Sequence, residues 1–208
     1  MQLYWHRRTL QPSQNPGLST AFIGAERDNS GVVPVFVLDD SILSRADGLG
    51  VAFMLGSLRK LRDWYRGYGS DLVIQHGDPT DIVSRIARTI GVERVVWNQD
   101  HSRLARQRDR AVQRALTRTG VTYTSVSNDQ ATDMRSSTTL PSDPEAYLAN
   151  PHTLGIETRE VPRLSDLRED EYDSAPLTAG TESARKQLRA LSNGTTYRRC
   201  DDGRSFSF

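Results

Sequence analysis

Up to about Asn128 the chain repeats one arrangement: a short apolar run, then a longer amphipathic stretch, then another short run. The short runs are LYWH from Leu3, VVPVFVL from Val32, DLVIQH from Asp71, RVVW from Arg94 and VTYTSV from Val121. Each is of strand length and rich in Val, Ile and aromatic residues. Between them, VAFMLGSLRKLRDWY places Met54, Leu58, Leu61 and Tyr65 at helical spacing, and IVSRIARTI does the same with Val83, Ile86 and Ile90. Strands joined through helices require crossover connections, and these give a parallel sheet. The runs also lack polar alternation, as strands covered on both faces do. The pattern therefore predicts an α/β domain, a doubly wound five-stranded parallel sheet of Rossmann-like type.

The joint GDPTDIV shows how one of these helices starts. Gly77 turns the chain, Asp78 is placed to cap, Pro79 suits the first helical position and Asp81 carries charge near the positive end of the dipole. It reads as a strand-to-helix joint, with phosphate binding as the alternative. From Ser127 the texture changes to turn residues and scattered apolar side chains, the composition of a surface linker. Further on, TESARKQLRALSNG aligns Ala184, Leu188 and Leu191 on one face with Gly194 as a stop, which predicts a short, loosely held C-terminal helix. Two segments result: residues 1–128 as the α/β domain, and 129–208 as linker and helix.

Composition narrows the function classes. With 27 Lys and Arg against 26 Asp and Glu, net charge is +1, so no overall polyelectrolyte field announces a nucleic-acid partner. The lone Cys200 forms no internal disulfide, and no signal-peptide core or membrane-length run is seen; a cytoplasmic location without membrane contact is expected. His6, His76, His101 and His152 stand apart from one another at no metal-ligand spacing, so no metal site is expected. GxxxxGK[ST], GxGxxG and GxSxG motifs are absent.

The stretch WNQDHSRLARQRD is more informative. A helix from about Ser102 to Arg118 turns Ala105, Val112 and Leu116 inward, and Arg103, Arg106, Arg110, Arg114 and Arg118 mostly outward. Without interleaved aromatics the outer stripe reads as a solvated face. Arg108 falls on the inner side. A buried guanidinium requires an anionic partner, and Asp100, Asp39 and Asp109 are the candidates. Such a cluster is either a structural ion pair or the polar floor of a ligand crevice.

WNQDHSRLARQRD with VQRAL, the strand PVFVLDDSIL, the helix VAFMLGSLRKLRDWYRGYGSDLVIQHGDP and the opening LYWHRRTLQPSQNPGL occur in the order found in one family. Over roughly the first 126 residues the chain resembles the N-terminal α/β domain of the DNA photolyase/cryptochrome family. The resemblance implies an antenna domain: in that family it holds a folate or deazaflavin chromophore that passes excitation to FAD in a larger helical domain, where pyrimidine dimers in DNA are split by a carbon–carbon lyase reaction. Folate-binding members carry an amide and a carboxylate where this chain has Leu104 and Ala105, so the resemblance argues against folate. Deazaflavin-binding members match at Asp39, Asp100 and Arg108, with Val37 lining the same pocket; the arginine that opens the VAF helix in those members is Gly50 here.

Other positions depart from the family pattern, notably Thr9, Gln11 and Gln14 near the first strand. The segment LTAGTESARKQLRALSNGTTYRRCDDGRSF resembles the lead-in to the flavin domain, and the residues that would bind FAD and the flipped dimer are not in the 208-residue sequence. The expectation is an antenna domain with no catalytic residues of its own, whose partner is a separate FAD-binding photolyase domain and which meets DNA only through it. The alternatives are a non-enzymatic nucleotide-binding or protein-interaction module, and the folded front of a decayed gene.

Overall fold

The computed structural model describes residues 1–127 and 140–167. Five strands, β1 (Gln2–His6), β2 (Val32–Leu38), β3 (Val73–His76), β4 (Arg94–Asn98) and β5 (Thr122–Val126), form one sheet in the order β3-β2-β1-β4-β5. Every neighbouring pair is parallel. The expected α/β class, strand count and parallel sheet are all present.

β1 and β2 follow the predicted covering of both faces, with no exposed position, whereas the edge strand β5 has no buried one. Alternate residues serve opposite layers. Leu3, Trp5, Val33 and Val35 pack with Ile82, Val83 and Ile86 of α4 (Pro79–Thr89) and with Val112 and Leu116 of α5 (Arg103–Arg118). On the other face Tyr4, Val32 and Val96 meet α1 (Pro16–Arg27), while Phe36, Leu38 and Ile74 meet α3 (Gly48–Gly67). A one-turn helix, α2 (Asp40–Leu43), follows β2. Pro34 is tolerated inside β2 because its missing N–H falls on the edge where β3 has not yet begun; that pairing starts at Val35.

Local chemistry sets the element boundaries. Asp78 accepts the Thr80 N–H at 2.7 Å, with Pro79 in the first turn of α4 and Gly77 at φ +137°, so the GDPT joint forms as read. Helix α1 was not foreseen from periodicity, since Gly17, Ser19, Thr20 and Gly24 dilute its apolar pattern. Its start is nevertheless fixed by Asn15, whose side chain accepts from Leu18 N–H at 3.1 Å and from Tyr4 OH at 2.7 Å. Asn98 at the end of β4 donates to Asn15 at 2.8 Å and accepts the Gly17 N–H at 2.7 Å. A Cβ at Gly17 would lie 2.6 Å from Asn98 Oδ1, so this close approach of helix and strand needs glycine.

The stretch read as linker contains, in 140–167, a strap along the β3 edge. Leu148 forms a parallel bridge with Val32, and the Ala149 N–H donates to Val32 O at 3.0 Å. Beyond it Ile156 is buried in the core, Thr158 Oγ1 accepts the Ile74 N–H at 2.8 Å, and the Arg159 N–H donates to Ile74 O at 2.9 Å. The strap thereby covers backbone groups that an edge strand would leave open. Arg62 clamps it: the buried guanidinium grips Asp71 through two bonds of 2.8 and 3.0 Å, and Nη1 reaches Arg159 O at 3.1 Å and Glu160 at 2.8 Å. The predicted C-terminal helix lies outside the described residues.

Two measurements follow. Arg62→Met strands the buried Asp71 carboxylate, with Arg66 a partial substitute at 3.2 Å; a loss of about 3 kcal/mol is expected by urea unfolding, with cleavage by protease gained first within 150–160. His6, buried and hydrogen-bonded to Tyr65 OH at 2.7 Å, is pushed by desolvation down to about 4. Because the unfolded imidazole takes a proton more readily, stability is full above about pH 6.5 and falls between there and pH 4, by roughly 3 kcal/mol in all. Urea midpoints of the native protein and of His6→Gln at pH 7, 5 and 4 should therefore converge as the pH drops.

Candidate functional site

The chain lays β1, β2 and β3 outward in one direction, then returns to place β4 on the other side of β1. At such a reversal the loops leaving the two central strands diverge and open a crevice beyond their carboxyl ends. A cavity of about 910 Å³ lies there, within the range of cofactor sites. Its lining comes from the ends of β1, β2 and β4, the loop after β1, and the helices that follow β2 and β4.

Two arginines shape its floor. Arg7, directly after β1, has a buried side chain that pairs with Asp109 of α5 at 2.7 Å. Asp109 also accepts the Trp97 indole N–H at 3.3 Å. The Arg7 guanidinium lies 5.0 Å from the centre of the Trp5 ring, and that of Arg108 lies 5.4 Å from it. Cation–π attraction to one indole holds both in place although they repel one another. Burial and the neighbouring Arg7 lower the Arg108 pKa, with Asp39 opposing.

Arg108 reaches Asp39 Oδ2 at 3.4 Å, the long limit of a hydrogen bond. The other oxygen of Asp39 is already committed to Ser41, to its N–H at 2.9 Å and its hydroxyl at 2.7 Å. Asp100 is not the arginine's partner. Its carboxylate accepts the Ser102 N–H at 2.9 Å and so shapes the entry to α5. Desolvation opposes ionisation of Asp100, but the Ser102 N–H and the Arg7 charge prevail and keep its carboxyl below the ordinary range. Arg7 Nε and Nη2 and Arg108 Nε are buried without an acceptor from the described residues. Buried guanidinium N–H groups in that condition call for an acceptor beyond the described residues.

Of the residues singled out in the sequence, Val37, Asp39, Asp100 and Arg108 line this one cavity. Gly50 is not among the lining residues. It sits in the first turn of α3, its N–H on Asp47 at 2.7 Å, one turn before Phe53 and Met54, which do line the cavity. Of the three carboxylates weighed as partners of Arg108, Asp39 takes that place, Asp109 belongs to Arg7 and Asp100 to the α5 entry. Arg7 and Trp5 were not singled out. The signal available was an arginine immediately after an unbroken apolar strand, where burial forces a partner, but the partner stands 102 residues away in sequence. Among the described residues no cluster of three His, Cys, Asp or Glu side chains is arranged to hold a metal, and no helix is long and apolar enough to cross a membrane.

Comparison with known proteins agrees with this architecture. The chain is 33% identical to a deoxyribodipyrimidine photo-lyase of Halobacterium salinarum, over 99% of its own length and 49% of that protein's. It thus spans about half the length of this relative. In fold it resembles an archaeal photolyase of Sulfolobus tokodaii that holds two FAD molecules, implying a novel light-harvesting cofactor (TM-score 0.68, 20% identity, 91% of this chain and 45% of that one). It also resembles a cryptochrome of Synechocystis (TM-score 0.69, 15% identity, 92% and 45%). The family model for DNA photolyase matches residues 2–147. With that match over most of its length and the sheet to go with it, the chain belongs to the DNA photolyase/cryptochrome family.

Proposed function

We propose that this chain is a light-harvesting domain of the photolyase family and that its crevice holds a flat tricyclic chromophore of the deazaflavin type. The observation that carries the reading is the cavity floor, where two guanidiniums over the Trp5 ring keep N–H groups without an acceptor among the described residues. A ring edge bearing carbonyl or phenolate oxygens supplies the missing acceptors. Asp100 and Asp39 offer acceptors in turn for ring N–H groups, and Val37, Phe53 and Met54 offer apolar contact to a ring face. Arginines and carboxylates are interleaved around the cavity, which favours a polarisable ring over a polyphosphate.

The side chains at Leu104 and Ala105 supply neither amide nor carboxylate, so folate is disfavoured. When bound, the chromophore would absorb blue light and hand its excitation to a flavin. This chain would bind it, orient it and keep water from it; a separate FAD-binding photolyase domain is the proposed partner and would carry the chemistry on pyrimidine dimers. FAD itself is the second reading, favoured by the two FAD molecules of the Sulfolobus tokodaii photolyase.

Titration of the full chain with 8-hydroxy-5-deazaflavin should shift the ligand absorbance to the red and saturate, while FAD should bind more weakly. An unchanged spectrum at high ligand concentration rejects the reading, and tighter binding of FAD replaces it with the second. Arg108→Met should weaken deazaflavin by about 10- to 100-fold, the worth of one charge-assisted hydrogen bond. Gly50→Arg is expected to tighten it several-fold, the new Cβ displacing the Asp47 carboxylate, 3.2 Å away, by only a few tenths of an ångström.

A further inference from the structure

Helix α5 carries a second feature, away from the crevice and unused by the antenna reading. At 3.6 residues per turn, Arg103, Arg106, Arg110, Arg114 and Arg118 fall within about 120° of one another, centred roughly opposite the buried Ala105, Val112 and Leu116. All five are exposed, and among the described residues none of them forms an ion pair. In a chain whose total charge is only +1 this is a strong local concentration of one sign. The one carboxylate on the helix, Asp109, is buried and committed to Arg7.

We infer that this stripe is a docking face for the phosphodiester backbone of duplex DNA, contacted without base recognition. Successive arginines four residues apart stand about 6 Å apart along the helix, close to the separation of neighbouring phosphates on one strand, and the row covers about 22 Å. Guanidinium forks pair with phosphate oxygens through two bonds at once, which a flexible ammonium does not. The stripe carries no aromatic side chain to stack on unpaired bases, which favours the backbone of a duplex over a single strand. An anionic lipid surface fits less well, because an interfacial helix must offer apolar residues beside its basic ones and the apolar face of α5 is spent on the core. The exposed large hydrophobic residues, Ile23, Leu49, Phe53 and Tyr123, are on other elements. This contact departs from the expectation that the chain meets DNA only through a flavin domain, and it stands or falls independently of any chromophore.

The test is fluorescence anisotropy of the full chain with a labelled DNA duplex of about 20 base pairs, titrated at salt from about 50 to 200 mM. A log–log slope of about −3 to −4.5 is expected, matching three to five phosphates neutralised. Arg106→Ala, Arg110→Ala and Arg114→Ala combined should flatten the slope by about 2 to 3 and weaken binding at least tenfold at 50 mM, with the thermal midpoint unchanged, since Ala suits an exposed helix position. The control, Arg45→Ala with Arg159→Ala, removes charge from exposed sites off α5 and should leave the slope in place. No salt-dependent binding at 50 mM, equal losses in variant and control, or stronger binding to phosphatidylserine vesicles or polyglutamate than to the duplex would each overturn the inference.

Discussion

The carboxyl edge of this sheet is organised by one buried ion pair, Arg7 with Asp109, which fastens the end of the first strand to α5 across the reversal in strand order. Breaking such a pair leaves a bare charge in the interior at a cost of several kcal/mol. With the pair made, Arg7 is fixed against Trp5, Trp5 is fixed against Trp97 at 5.8 Å, and α5 is brought in at the rotation that delivers Arg108 to the same indole. Arg108 is thus positioned by its contact with the indole more than by its ion pair. Its carboxylate partner stands at the long limit of a hydrogen bond, and the Arg7 charge repels the guanidinium. A side chain held so keeps a buried N–H without an acceptor among the described residues.

The fold was largely legible because it rests on short-range pattern. Strand-length apolar runs and helical spacing between them are local properties, and GDPT announces its helix within four residues. What escaped depended on contacts between distant segments. Helix α1 has a weak apolar period, and its start is decided by Asn15 meeting Tyr4 and Asn98, two other elements. The strap at 140–167 is sparse in apolar residues and looks like linker, yet it is ordered by backbone bonds to Val32 and Ile74 and by the Arg62 clamp. In the site, Asp39, Asp100 and Arg108 were identified by strand ends and helix phase, but which carboxylate serves which arginine is a matter of three-dimensional distance. Sequence spacing left Asp100 and Asp109 as equal candidates, and the geometry gave one to a helix entry and the other to Arg7.

The chain belongs to the photolyase family and spans about half the length of its Halobacterium salinarum relative. Its two candidate surfaces lie on different sides of α5. The inner one contributes Arg108 to the crevice beyond the strand ends, and the outer one presents to solvent arginines that form no ion pair among the described residues. Both follow from the same helical phase: a sixteen-residue helix with a narrow apolar stripe keeps one arginine in and turns five out.

The central claim is that the crevice beyond β1, β2 and β4 is a chromophore site with Arg108 facing the ligand. A crystal structure of the chain grown with 8-hydroxy-5-deazaflavin tests it most directly. The account predicts the ring within this cavity, an oxygen within hydrogen-bond distance of the Arg108 guanidinium, and Asp100 or Asp39 on a ring N–H. A ring bound elsewhere on the molecule, or one in the crevice with Arg108 still paired only to Asp39, would contradict it.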